Sequence, residues 1–261
     1  MNAPYNVFSL SLLYIYIVGW VNLLSLKILQ GRLNMCGRFN LACSNGDIEK
    51  IVVGLQGTFT NLPNYNFCPS QNIPVLIKKA SVILTAMHWG IELESKNYEH
   101  TRQMFNTRCE SLLENKFGDS FYNRLCLIPA TGFFEWKHQT NLRNGSAEPF
   151  NVRVLNNDLF FMAGLHSKFL NDGAVSIITR EATNVMKDIH GRMPLILSAE
   201  QINEWLDMQF SHNREEKLKE IITSHERHII NAHRVSSFVN STANNSINCV
   251  TEIKDRQIRL I

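Results

Sequence analysis

Cys36 directly follows Met35 in the stretch Met35-Cys36-Gly37-Arg38-Phe39. If translation starts at Met35 and that methionine is removed, Cys36 becomes the N-terminal residue, and its side chain is small enough for such trimming. The product is a 1,2-aminothiol, with an α-amine of pKa roughly 7.7 to 8.0 beside a thiol near 8.5, both partly deprotonated at neutral pH. The amine attacks an aldehyde to form an imine, and the thiol then closes on the same carbon to give a five-membered thiazolidine. The alternative reading makes Cys36 one of six cysteines, packed as a small buried hydrophobe.

The elements that position this residue begin with what precedes it. Residues 1–34 hold no acidic residue and only Lys27 and Arg32 as charges. The stretch 7–26 is apolar with scattered Ser, Asn and Gly, long enough to span a bilayer. It lacks the basic n-region and A-x-A-like cleavage site of a secretory signal. Met35 before Cys36 is too large for a lipoprotein cleavage site. Two readings stay open: an apolar anchor, or an upstream leader translated from a start codon placed too early. The abrupt change at Met35 to ordinary soluble sequence favours the second, with 1–35 as leader and 36–261 as the functional body.

A body of that length forms one domain with a sizeable core. Of the 26 basic residues, Lys27 and Arg32 lie in the leader, which leaves 24 against 23 acidic residues. Global charge therefore gives no argument for nucleic acid, and any DNA surface must be local, made by a few arginines in a groove. Cys36, Cys43, Cys68, Cys109, Cys126 and Cys249 form no C-x-x-C pair and no metal-like spacing with histidine. This pattern implies free thiols in a reducing compartment, with neither a disulfide framework nor a metal site, and no cofactor is called for.

Strand-like runs rich in β-branched and apolar residues fall at 73–77, 82–89, 124–128, 132–136, 149–154, 159–165 and 175–179. Ser44 and Asp47 cap a short helix reaching about residue 53. Ser198 with Gln201 is a capping-box pattern that opens a helix through Leu206, and 213–222 reads as a second, charged helix. The proline- and asparagine-rich 61–72 and the polar 137–148 read as loops. Many strands with few intervening helices give an α+β single domain, mainly antiparallel β-sheet with a few flanking helices.

Seven motifs stand in one order: Met-Cys-Gly-Arg-Phe at 35–39, Tyr-Asn-Phe-Cys-Pro-Ser at 65–70, Trp89-Gly90, Asn106-Thr107-Arg108-Cys109-Glu110, Arg-Leu-Cys-Leu-Ile-Pro-Ala at 124–130, Gly132-Phe133-Phe134-Glu135-Trp136 and Ile189-His190-Gly191-Arg192-Met193-Pro194. In this order they resemble the SOS-response-associated peptidase family, also called abasic-site processing proteins. Val235-Ser236 and Val239-Asn240 are similar to its closing segment. The resemblance implies a barrel-like β core and covalent capture of abasic sites in single-stranded DNA by the N-terminal cysteine. It implies Glu135 as the proton-transfer residue, in an apolar setting that disfavours a bare carboxylate and suits it to proton transfer. It implies His190 as a second acid/base group and Asn106 as the amide that orients the terminal amine. Arg38 and Arg108 match phosphate-contacting positions, Arg192 is a weaker candidate of the same kind, and Trp89, Phe133 and Trp136 are candidates for stacking on bases. Each also has a plainer reading: a salt-bridged carboxylate, a structural histidine, a turn asparagine, paired surface arginines, core aromatics.

The chain departs from the family pattern at Gly191, where aspartate is common. The family name implies a peptidase, and self-removal of the leader is the expected proteolytic event. Single-stranded DNA carrying abasic sites is the expected partner, with no obligate protein partner, a monomeric state and an intracellular, soluble location, cytoplasm or nucleoid in a bacterium. Two other functions fit the same residues: a cysteine hydrolase acting in trans with Cys36 as nucleophile, His190 as base and Asn106 as orienter, or a membrane-anchored binding protein.

Overall fold

The computed structural model describes residues 37–93, 102–138, 147–167, 173–224 and 229–254, all within the compact unit Cys36–Ile261. Cys36 itself and the leader lie outside the described residues. The strands in chain order are β1 (Arg38–Leu41), β2 (Asn64–Phe67), β3 (Asn72–Lys78), β4 (Val82–Trp89), β5 (Ile91–Leu93), β6 (Arg102–Met104), β7 (Asn106–Arg108), β8 (Leu125–Ala130), β9 (Gly132–His138), β10 (Ala147–Val154), β11 (Phe160–Ser167), β12 (Ala174–Glu181), β13 (Arg192–Pro194), β14 (Ile196–Leu197) and β15 (Ile230–Arg234). Helices span Asn45–Ile51, Cys109–Leu113, Ala199–Leu206 and Arg214–Thr223. The capping box expected at Ser198 forms with Gln201, and the cap expected at Ser44 forms as a full capping box with Asp47.

One sheet, ordered β15-β10-β9-β1-β2, is antiparallel throughout. The other runs β13-β12-β4-β3-β8-β11-β14, and an added pairing of β12 with β11 closes β12, β4, β3, β8 and β11 into a ring. The ring is joined across β12 and β4 by two parallel register pairs, Ala174 with His88 and Val175 with Trp89, so it is a closed sheet and not a regular barrel. The α+β class with mainly antiparallel pairing holds. Of the expected loop 61–72, residues Asn64–Phe67 form strand β2, because β1 offers an edge to pair with at Phe39 with Phe67 and Leu41 with Asn64. Tertiary pairing here overrides a composition that reads as loop.

Side chains alternate across a strand, and directly opposed residues share a face. Phe39, Phe133 and Val152 stand opposite one another on β1, β9 and β10, so they point to one side, and all are buried. Phe39 carries the contact across to the second sheet: its ring meets Trp89 of β4 edge-on at 5.5 Å and stacks on Phe67 at 4.8 Å. Trp89 has no exposed surface and donates its Nε1–H to the Phe105 carbonyl at 2.9 Å. Trp89, expected among the stacking residues, is therefore a core residue that no base reaches, and Phe133, at 1% exposure, is another.

The far end of β12 is fastened by one ion pair. Arg192, at the start of β13, donates from Nη1 and Nη2 to Oε1 and Oε2 of Glu110 at 2.7 and 3.0 Å, and from Nη2 to the Thr179 carbonyl of β12 at 2.8 Å. The hydrogen bond from Arg192 holds the Glu110 carboxyl down to about 2, against the opposing effect of burial. Arg192 is spent inside the protein, so its assignment as a weaker DNA contact gives way to a structural one.

Two outcomes follow. Replacing Trp89 by Ala costs about 3–5 kcal/mol of stability, because it empties one of the two fully buried tryptophans among the described residues; urea unfolding measures it, and a loss under about 1 kcal/mol contradicts the core assignment. A carboxyl depressed by folding contributes stability that is full above its unfolded value of roughly 4.3 and is lost as pH falls through its folded value. Because the Glu110 side chain is 44% exposed, solvent screening holds its share to about 1 kcal/mol. Glu110→Gln therefore lowers the urea midpoint at neutral pH, and the gap to the parent narrows as pH drops below about 4.3. A gap of constant size down to about pH 3 contradicts it.

Candidate functional site between the two sheets

Glu135 is the third residue from Phe133 along β9 counted inclusively, so it points to the same inner side as that core phenylalanine, and its register partner is Phe150 of β10. It is 2% exposed. A carboxylate in such a place is tolerated only with polar partners close by. One approaches from the other sheet: Nδ1 of His190 lies 4.0 Å from Glu135 Oε2. That is within reach of a protonated imidazole as an ion pair but too long for a hydrogen bond.

His190 sits between a 3-10 turn, Asn184–Asp188, and β13, and its own N–H donates to the Met186 carbonyl at 2.8 Å. Its Nδ1 is 3.1 Å from the backbone N–H of Arg192 and 3.0 Å from the Arg192 carbonyl. An unprotonated Nδ1 accepts from the first, and a protonated Nδ1 donates to the second. One backbone segment thus holds the ring in both protonation states, which is what a group that gives and takes a proton requires.

Asn106 lies in β7, where it stands beside Ile177 of β12 in parallel register. The first half of β12 is paired with β4 and β11, and its second half with β7 and β13, so Thr179 has Arg108 on one side and Pro194 on the other. The Asn106 strand and the His190 turn therefore flank the same end of one strand. Arg108 is exposed at that end.

Arg38 and Trp136 are brought together, but on the opposite side of the first sheet from Glu135, since Trp136 follows Glu135 and Arg38 pairs with Phe134. The Arg38 guanidinium is 5.9 Å from the Trp136 ring centroid. Its Nη1 donates to Asn66 Oδ1 at 2.9 Å and the Val239 carbonyl at 2.6 Å, and Nη2 donates to the Asn240 carbonyl at 2.9 Å. Trp136 donates from Nε1 to Asn240 Oδ1 at 2.9 Å. Asn66 adds three more bonds from Nδ2, to the carbonyls of Val239, Ser241 and Asn244. Here Arg38 and Trp136 fasten the closing segment of the chain to the sheet. Asn66 was missed as a residue of this kind. Its place inside the motif at 65–70 was the only signal, and that signal does not say which partner it serves.

Four cysteines of the body, Cys43, Cys68, Cys109 and Cys126, are poor nucleophiles. Burial, then Asp47, pushes the Cys43 thiol up to about 11, and burial, then Glu110, does the same for Cys109. Cys126 is raised further by complete burial, and Cys68 is raised by burial against the opposing pull of Arg38. A thiol so raised is protonated near neutral pH and reacts slowly. Among the described residues no group of three His, Cys, Asp or Glu side chains is placed to hold a metal ion, and no helix is long and apolar enough to cross a membrane. The apolar stretch 7–26, on which the anchor reading rests, lies outside the described residues.

Comparison with known proteins agrees with the motifs. Residues 35–242 match the family model described as SOS response associated peptidase. The chain is 34% identical over 224 residues to the abasic site processing protein YoqW of Bacillus subtilis, covering 81% of this chain and 97% of that protein. It is 30% identical over 238 residues to the abasic site processing protein HMCES of Pongo abelii, covering 73% and 65%. Among solved structures, a phage-related protein of Bordetella bronchiseptica superposes with a TM-score of 0.61 at 20% identity over 77% of this chain and 94% of that one. A protein of Bacteroides thetaiotaomicron does so with 0.59 at 18% over 85% and 98%. These two share the fold. The breadth of the family match and the length shared with the Bacillus protein decide the assignment, and the chain belongs to the SOS response associated peptidase family.

Proposed function

We propose that this protein captures abasic sites in single-stranded DNA covalently, through the amine and thiol of a Cys36 freed by removal of the residues up to Met35. The names of its relatives as abasic site processing proteins support the choice of lesion. The observation that carries the chemistry is the Glu135 carboxylate, buried between the sheets, with the His190 imidazole 4.0 Å away. Capture of an aldehyde needs proton transfer at each stage. The open sugar presents its C1 aldehyde, the Cys36 amine adds to it, and the carbinolamine loses water after a proton is delivered to its hydroxyl. The thiol sulfur then adds to the imine carbon, and its proton passes to the ring nitrogen. One water leaves overall, and no oxidant or reductant is consumed.

Glu135 supplies and recovers these protons, and His190 exchanges them with Glu135 or the sugar hydroxyl. Asn106 orients the amine with a side chain that both donates and accepts. The thiazolidine is slower to hydrolyse than an imine, so β-elimination of the strand is held off. Arg108, exposed beside β12, is assigned to backbone phosphate. Arg38 and Trp136 act through the closing segment they hold. The protein works as a monomer. Self-removal of the leader uses the same groups: the Cys36 sulfur attacks the Met35 carbonyl carbon, the Met35–Cys36 C–N bond breaks as the nitrogen takes a proton, and water hydrolyses the resulting thioester to release the leader as an acid and restore the thiol.

Mature protein incubated with a single strand carrying one abasic site gives a shifted band that survives denaturation without borohydride. Cys36→Ala abolishes it and Glu135→Ala slows it by about a hundredfold or more, the usual scale for a lost acid/base group. No band from protein whose free Cys36 is verified overturns the reading. Acetylating the α-amine while sparing the thiol removes the band too, whereas a thiolate hydrolase acting on peptides keeps its activity after the same treatment. For the leader, the expected intact mass lacks residues 1–35, and Glu135→Ala keeps them attached. A mutant trimmed as cleanly as the parent makes ordinary methionine removal from a Met35 start the explanation.

A further inference from the structure

We infer that Glu110 and Arg192 form a clamp that positions the His190 ring for proton transfer, so that both are positioning residues for the reaction and neither is a DNA contact. The inference rests on the crosslinking reading given above. His190 is held by the backbone of Arg192, at 3.1 Å to its N–H and 3.0 Å to its carbonyl. The place of that backbone is in turn fixed by the Arg192 side chain. That side chain is 14% exposed, and its guanidinium crosses the end of β12 to bind both oxygens of Glu110 together with the Thr179 carbonyl. A planar fork against a carboxylate fixes direction as well as distance, which a single-point ammonium does not.

The clamp also couples the two arms of the site. Glu110 lies in the first turn of the helix Cys109–Leu113, which follows β7 directly, four residues beyond Asn106. Arg192 opens β13, two residues beyond His190. One ion pair therefore sets the spacing between the strand that carries Asn106 and the turn that carries His190, across the Thr179 position that both strands flank. Gly191 lies between the held imidazole and the held guanidinium, and a Cβ there meets nothing within 4 Å. No side chain at residue 191 assists in orienting the ring, and the burden falls on Arg192.

The test measures single-turnover crosslinking at saturating DNA, and separately the affinity for a single strand carrying a tetrahydrofuran abasic analogue, which cannot form the adduct. Glu110→Ala and Arg192→Ala are each expected to slow the crosslinking step tenfold or more while the affinity changes less than twofold. The double variant is expected to be no slower than the worse single one, since both changes break one device. Arg192→Lys is expected not to restore the rate. The His190 ring resonances in NMR spectra are expected to move alike in both single variants, with the other histidines unmoved.

If Arg192 instead grips phosphate, Arg192→Ala weakens binding of the analogue strand and Glu110→Ala does not slow the step; that pattern overturns the clamp. Equal rates for parent and all variants overturn it as well, while leaving the crosslinking reading intact. A parent that forms no adduct overturns the crosslinking reading first, and is recognised before any variant is compared. Should Arg192→Ala fail to fold, Glu110→Gln reads the same rate and ring resonances with the carboxamide in place of the carboxylate.

Discussion

Placing a carboxylate where water cannot reach it is the constraint on which the remaining structure depends. Glu135 is 2% exposed and shares its side of β9 with Phe133, a residue of the core. A charge in such a place is disfavoured unless polar groups are brought to it. The fold meets this by bending a second sheet until its edge turn sets His190 4.0 Å from Glu135. A slip of β9 by one residue would turn Glu135 out and Phe134 in, exchanging the site for another core aromatic. The register is held by packing too close to shift: a Cβ at Gly132 would lie 2.6 Å from Asn151 Oδ1 and 2.8 Å from Asn40 Nδ2, and those two amides are bonded to each other at 3.0 Å.

The two faces of the first sheet divide the work. The inner face carries Phe39, Phe133 and Glu135, apolar contact interrupted by one acid. The outer face carries Arg38, Phe134 and Trp136, and receives the closing segment through bonds to the carbonyls of Val239 and Asn240. Alternation along β1 and β9 is what lets neighbouring residues of one motif serve both purposes. It also explains why Glu135 and Trp136, adjacent in sequence, do not meet the same partner.

Much of the architecture was legible in the chain. The strands at 73–77 and 82–89, the cap at Ser44, the capping box at Ser198 and the α+β class follow from periodicity and from side chains that bond to nearby backbone. The short strand β2 and the small strands β5, β6, β7, β13, β14 and β15 were not legible, because pieces of two to five residues draw their stability from the partner they pair with and not from their own composition. At the site, the motifs named Glu135 and His190 but gave no geometry. Tryptophan next to glycine in a motif suggests a stacking surface as readily as a core, and burial of Trp89 decides for the core. An arginine in a motif likewise suggests phosphate, whereas the partners of Arg38 and Arg192 lie inside the protein, on segments far away in sequence that no local pattern announces.

The account reduces to a covalent bond pattern at one residue. Nuclease and protease digestion of the adduct, followed by mass spectrometry of the modified peptide, reads that pattern directly. The account predicts a peptide beginning at Cys36, with no residue before it, whose mass is that of the peptide plus the sugar remnant less one water, obtained without borohydride and resistant to thiol alkylation. An adduct on any other residue, or one that survives only after borohydride reduction, contradicts it.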